Sequence, residues 1–125
     1  MICDTTFLSH LRREHEQGVR GPASEFLRRR RTETFLVTVI TVGELAVIFD
    51  SSEAARRFLS PYRVLRLLPE IAYRAVDVDR ELIARGQRLG ENDTWIAGFC
   101  RYYGQPLISR DVAFDRVIGL RRLVY

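Results

Sequence analysis

Lysine is missing from this chain: all 20 of its basic residues are arginine. That absence removes Schiff-base chemistry, a phosphate-loop lysine and a lysine general base. Cysteine is scarce as well. Cys3 and Cys100 are too few for a disulfide framework and lack metal-ligand spacing, so both read as reduced, buried small hydrophobes. No His-x-x-His or cysteine cluster occurs, and His10 and His15 are poorly spaced to share a metal, which assigns both to the surface. No apolar run approaches the roughly 18 residues that a bilayer span requires. The opening "MICDTTFLSH" has neither the basic start nor the long apolar stretch of a signal peptide. A cytoplasmic chain with no membrane partner is expected.

What remains is sufficient for one compact domain over residues 1–125. A content of 46% hydrophobic and 29% charged residues suits a soluble globular chain with a proper core, and no repeat, linker or low-complexity stretch divides it. The net charge of +4 is carried by arginine, whose fork suits phosphate, so a nucleic-acid partner is compatible. A GC-rich codon bias produces the same composition, and composition alone does not choose. The run Arg28–Arg31 is equally readable as a solvated helix face or as a guide for a phosphate backbone.

Short apolar runs alternate with helical patterns. "MIC" opens as a strand, and Phe7, Leu8 and Leu11 then fall at helical spacing before "QGVRGP" breaks the helix. A short basic helix follows over 23–34. The β-branched run "TFLVTVIT" (34–41) predicts a strand buried on both faces, with a helix over 42–50 behind it. Ser51 or Ser52 caps another helix. A third strand is expected over 63–69, then a long helix over 70–90 with a break near Asp77. Asn92 is a candidate cap for the helix 93–104, which Gly104 ends. Strands over 105–111 and 120–125 close the chain. Strands separated by helices predict an α/β fold, a three-layer α/β/α sandwich with a mostly parallel four- to five-stranded sheet.

Sheets of this kind place their sites beyond the C-terminal ends of the strands. Asp4 ends the first strand, and Glu44 falls in the first turn of the helix after the second. Asp93 opens the helix that feeds the fourth strand, and Asp111 follows "LIS" of that strand. Each acid alone has an ordinary structural explanation, as a helix-dipole partner, a cap or a turn residue. Four carboxylates at one sheet edge repel each other, and a hard divalent cation, Mg²⁺ or Mn²⁺, relieves that repulsion with oxygen ligands. Asp115, close behind Asp111, is a candidate to join the shell. Asp77, Asp79 and Glu81 lie among Arg74, Arg80 and Arg85 and read as a solvated helix face.

"MICDTTFLSHLRR", "TVITVGEL" and "GENDTWIAGFCRYYGQPLISRDVAFDRVIGLRRL" together resemble a PIN-domain protein of the small VapC-type toxin-ribonuclease group. The family's apolar strand ending in Asp-Thr-Asn/Ser/Thr is matched by Asp4-Thr5-Thr6. Its Thr-x-x-Glu-Leu segment is matched at Glu44, its Asn-Asp-x-x-Ile-Ala segment at Asn92-Asp93 and Ile96-Ala97. Its fourth acid is matched by Asp111, with Phe114 three residues on, and the closing V-x-G-L by Val117, Gly119 and Leu120. Thr6 stands where Asn is frequent, leaving a hydroxyl to orient a ligand or water. The segment 16–34 has no distinctive match.

The resemblance implies a metal-dependent endoribonuclease, the toxin of a toxin–antitoxin pair, in which Asp4, Glu44, Asp93 and Asp111 hold one or two Mg²⁺ or Mn²⁺ ions. Thr6, Ser109, Asn92 and Asp115 would support them. RNA is the implied substrate, a cognate small antitoxin the implied protein partner, and a homodimer the implied assembly. Among rivals, an aspartate-nucleophile phosphatase needs an Asp where Thr6 stands, and a receiver domain needs a lysine. A catalytically silent PIN fold, acting as an RNA- or protein-binding module, is the remaining alternative; four intact acids argue against it.

Overall fold

The computed structural model describes residues 1–125. Five strands form one sheet: β1 (Ile2–Cys3), β2 (Leu36–Val37), β3 (Arg63–Val64), β4 (Leu107–Ile108) and β5 (Arg122–Leu123), in the order β3-β2-β1-β4-β5. Every pairing is parallel, with Ile2 in register with Leu36 on one side and Leu107 on the other. Six α-helices connect them: α1 (Thr5–Glu16), α2 (Pro22–Arg29), α3 (Val39–Ala46), α4 (Ser52–Leu59), α5 (Pro69–Ala84) and α6 (Glu91–Tyr103), with a 3-10 helix at Val112–Arg116.

Successive strand residues point to opposite faces, and the two cores divide accordingly. Ile2, Leu36 and Leu107 pack with Ile71, Val78 and Leu82 of α5 and Ile96 and Phe99 of α6. Their neighbours Cys3, Val37 and Ile108 pack on the other face with Phe7 and Leu8 of α1, Ala23, Leu45 and Leu59. Strands buried on both faces must be apolar throughout, so the central three carry no charge. The three-layer sandwich follows from that division. No helix is long and apolar enough to cross a membrane.

Several predicted boundaries shift. The run 34–41 is not one strand: β2 ends at Val37, and Thr38 caps α3, its hydroxyl accepting from the Thr41 N–H at 3.0 Å. Val39 and Ile40 are therefore helical, and Glu44 lies in the second turn of α3 rather than the first. α5 runs to Ala84 without a break at Asp77. Its close packing on α6 sustains it: a Cβ on Gly98 would stand 2.9 Å from the Ala75 Cβ. Gly104 ends α6 at φ 61°, as expected of a left-handed cap. Gly21 offers α2 no capping side chain; Glu14 of α1 replaces it, accepting from the N–H groups of Ala23 and Ser24 at 3.0 and 2.7 Å.

Candidate active site

β1 is the central strand, and the chain leaves it to β2 on one side while β4 lies on the other. This is a topological switch, where open parallel sheets leave a crevice above the strand ends. Asp4 stands directly after β1, and Asp111 follows β4 after Ser109 and Arg110. Asp4 caps α1, its Oδ1 accepting from the Phe7 N–H at 2.6 Å. Asp111 caps the 3-10 helix, accepting from the Ala113 N–H at 2.8 Å. Glu44 comes from α3 and Asp93 from the first turn of α6. All four line one cleft of about 500 Å³, with Thr5, Thr6, Val47, Ile96 and Phe114.

The electrostatics reflect this crowding. Asp4 is buried, and burial lifts its carboxyl to about 6; hydrogen bonds from Ser109 and the Phe7 N–H pull it down, while Asp93 and Asp111 push it further up. Asp93 is raised by burial, then by Asp111 and Glu44, and no protein donor offsets it. No cation answers either group. The two remaining large hollows differ in kind: one is lined by Arg101, Arg121 and apolar residues, the other by the paired Asp79 and Arg88.

Glu44 is held from two sides. The Thr5 hydroxyl donates to its Oε2 in a short hydrogen bond, and the Asn92 amide donates to Oε1 at 2.7 Å. Three elements, α1, α3 and α6, are thereby joined through one carboxylate. Asn92 is not the cap of α6, which Gly90 provides; its side chain is spent on Glu44 instead. Thr5 is the residue missed by sequence reasoning. It sits inside the matched Asp-Thr-Thr segment, but its partner is 39 residues away and no local spacing reveals it. Thr6 lines the cleft. Ser109 is fully buried and accepts from the Asp111 N–H at 3.0 Å, which leaves its hydroxyl hydrogen for Asp4 and couples the two acids.

Asp115 does not join the group. It is exposed and forms a two-bond pair with Arg122 at 2.8 and 2.6 Å, away from the cleft lining. The arginine run is partly self-neutralised: Arg28 and Arg29 pair with Glu25, and Arg30 with Glu33. Asp77, Asp79 and Glu81 pair with Arg74, Arg88 and Arg101 on the outer helix surface, as a solvated face should. His10 is not a simple surface residue, because it is half-buried and its Nδ1 lies 2.9 Å from the Tyr125 hydroxyl. Cys3 and Cys100 are free and buried, and burial raises both thiols, as expected for inert core residues.

The donor set consists of oxygen atoms alone, which suits a hard divalent cation. Hydrogen bonds leave Oδ2 of Asp111 and both oxygens of Asp93 uncommitted, while Asp4 already receives the Phe7 N–H and the Ser109 hydroxyl. Nowhere do three His, Cys, Asp or Glu side chains already stand in a ligand cluster, so an ion would have to draw these carboxylates inward against their repulsion.

A PIN domain family model matches residues 1–120. A Haemophilus influenzae protein named ribonuclease VapC2 is 37% identical over 93 residues, covering 68% of this chain and 70% of its own length. Among solved structures, VapBC2 from Rickettsia felis bound to a promoter DNA fragment superposes with a TM-score of 0.83 at 18% identity, over 98% of this chain and 96% of that one. FitAcB from Neisseria gonorrhoeae superposes with a TM-score of 0.75 at 17% identity, over 98% and 95%. At these identities the superpositions establish the fold.

Proposed function

The chain belongs to the PIN-domain family, and from that premise we propose that residues 1–125 act as a single divalent-metal-dependent endoribonuclease domain, the toxin of a toxin–antitoxin pair. The observation that carries the reading is the cleft itself: four carboxylates from four separate elements face one crevice, and the cation nearest them, Arg122 beside Asp111, is committed to its pair with Asp115. Such an arrangement is costly in the free chain and is relieved by a cation of two charges. Asp4, Asp93, Asp111 and Glu44 would hold it, with Mg²⁺ or Mn²⁺ as the ions that suit all-oxygen ligation. Held by these residues, such an ion would supply a lowered water pKa for attack on a phosphodiester and charge to offset that developing on the phosphate.

The chain's own residues divide the remaining work. Ser109 and the Phe7 N–H hold Asp4 in one rotamer, and the Ala113 N–H does so for Asp111. Thr5 and Asn92 fix the plane of Glu44, and each of its oxygens keeps a lone pair. Thr6, exposed on the cleft wall, is placed to orient water or a phosphate oxygen. Relatives and structural neighbours are named as VapC ribonucleases and VapBC complexes, which supports RNA as substrate and a small antitoxin as partner. The cytoplasm, where RNA and such an inhibitor meet, is its proposed location. A homodimer is supported by the exposed stripe of Tyr73, Val76 and Ile83 along α5.

The test is cleavage of a mixed RNA pool by purified protein, with and without Mn²⁺, beside Asp93→Asn. Wild-type protein should cut only with the ion, and the variant should not cut. Equal cleavage by both at matched Mn²⁺ would remove the acids from the reaction.

A further inference from the structure

Tyr125, just beyond β5, touches both of the elements that present Asp4 and Asp111. Its ring meets Phe7 of α1 edge-on, with centroids 4.8 Å apart, and its hydroxyl lies 2.9 Å from Nδ1 of His10. From the other side Arg110 places its guanidinium 4.4 Å from the Tyr125 ring centroid. The same guanidinium donates from Nε and Nη2 to the Tyr125 main-chain oxygen at 3.0 and 2.9 Å. Phe7 supplies the N–H that holds the Asp4 carboxylate, and Arg110 directly precedes Asp111.

We infer that Tyr125 and Arg110 form a clasp that positions Asp4 and Asp111 relative to one another, so that both are positioning residues for the cleavage reaction. The inference rests on the endonuclease reading above. Asp4 and Asp111 lie after different strands, and between them run one backbone hydrogen bond, from the Asp4 N–H to the Ile108 carbonyl, and the Ser109 hydroxyl. Residues 110–112 are exposed between the buried Ser109 and Phe114, so the Asp111 side chain is carried on a short surface segment. A guanidinium that both lies over a ring and bonds the same residue's main-chain oxygen fixes this segment from two directions. The ring is anchored on α1 in turn, through Phe7 and His10. Burial, then the nearby Asp4, lifts the phenol to about 12, so it remains a neutral hydroxyl at neutral pH.

The experiment compares wild type, Tyr125→Ala, Arg110→Ala, the double variant and Tyr125→Phe in single-turnover cleavage of one defined RNA. Val78→Ala, a core cavity in α5 at a residue that does not line the cleft, serves as a destabilised control. Each alanine variant should lower the maximal rate by about ten- to a hundredfold, as a carboxylate displaced by an ångström would. Half-saturating RNA should change little, and the double variant should lose no more than the worse single one. Tyr125→Phe keeps the stack and should retain most of the rate, whereas Val78→Ala should lose melting temperature but not rate. The rise in melting temperature caused by Mn²⁺ should shrink in both alanine variants and persist in Val78→Ala. Additive losses, an effect confined to half-saturating RNA, or an undiminished Mn²⁺ rise would each overturn the clasp. If Asp93→Asn cleaves as well as wild type, the endonuclease reading falls, while the Mn²⁺ rise still judges the clasp.

Discussion

Asp4 carries the clearest consequence at the scale of single residues. Its carboxyl is raised from the ordinary aspartate value of 3.8 to about 6, mainly by burial. Folding therefore favours its neutral form, and the stabilisation is fully present below pH 4 and lost as pH rises through 6. Roughly two units correspond to about 3 kcal/mol. Asp93 is raised for the same reasons and adds with the same sign. Glu14 acts oppositely: partial burial pushes it up, but hydrogen bonds from Ser24 and Ala23 outweigh that and hold it low, so its contribution disappears as pH falls. The informative quantity is the difference between wild type and Asp4→Asn. In metal-free protein the variant should gain melting temperature over wild type as pH goes from 4 to 7, and Mn²⁺ should narrow the gap. A difference independent of pH would mean that Asp4 is not a desolvated acid. Glu44 allows a second test at this scale. Thr5→Val or Asn92→Ala leaves the carboxylate in place and removes one of its two donors. Activity at limiting Mn²⁺ should fall by about 10–100-fold, as is usual for groups that orient a metal ligand. Thr5→Ser, which keeps the hydroxyl, should recover most of it.

Helix packing determines where Asp93 stands. α6 lies against α5 at a crossing where Gly98 meets Ala75, and no larger residue fits: a new Cβ would also be 3.0 Å from the Ala75 backbone nitrogen and Cα. Gly98→Ala should therefore cost about 1–3 kcal/mol, read as a lower denaturation midpoint with an unchanged slope. Ala75→Gly in the same chain should recover part of the loss, because the backbone atoms remain. A neutral Gly98→Ala would mean that the two helices separate freely. Element boundaries also explain where sequence reading failed. Val39, Ile40 and Thr41 are β-branched and read as strand, yet the Thr38 hydroxyl satisfies the Thr41 N–H and starts a helix there. Tertiary packing of one apolar face outweighs a strand preference that amounts to fractions of a kcal/mol per residue.

For the molecule as a whole, the acidic cleft lies beside an apolar rim: Val47 and Val112 are 83% and 68% exposed. The nearby aromatic residues Phe49 and Phe58 are less available to a partner. Phe49 and Phe58 pack on each other at 5.4 Å, and Arg12 covers Phe49 at 4.5 Å. The antitoxin proposed above would thus find apolar footing on Val47 and Ile48 rather than in an aromatic groove. Val47→Glu and Ile48→Glu should weaken capture of the proposed antitoxin by tenfold or more, about 1.4 kcal/mol. Melting temperature should hold, since both side chains already face water. Undiminished capture would place the inhibitor on another face.

The local sequence determined the order of strands and helices, the apolar strands of a two-faced sheet and the four acids with their matched segments. Each of these is a property of a few neighbouring residues: an apolar run, a helical period, an Asp after a strand. Tertiary structure alone decided who holds Glu44 and which distant groups meet around the site. Thr5 reaches Glu44 across 39 positions, Asn92 across 48, and Tyr125 reaches His10 across 115. Asp115, a close sequence neighbour of Asp111, is taken out of the group by Arg122. Secondary structure and burial leave a periodic trace in the sequence because the backbone repeats. A hydrogen bond between side chains on different elements leaves none, because its partners are brought together by packing rather than by spacing.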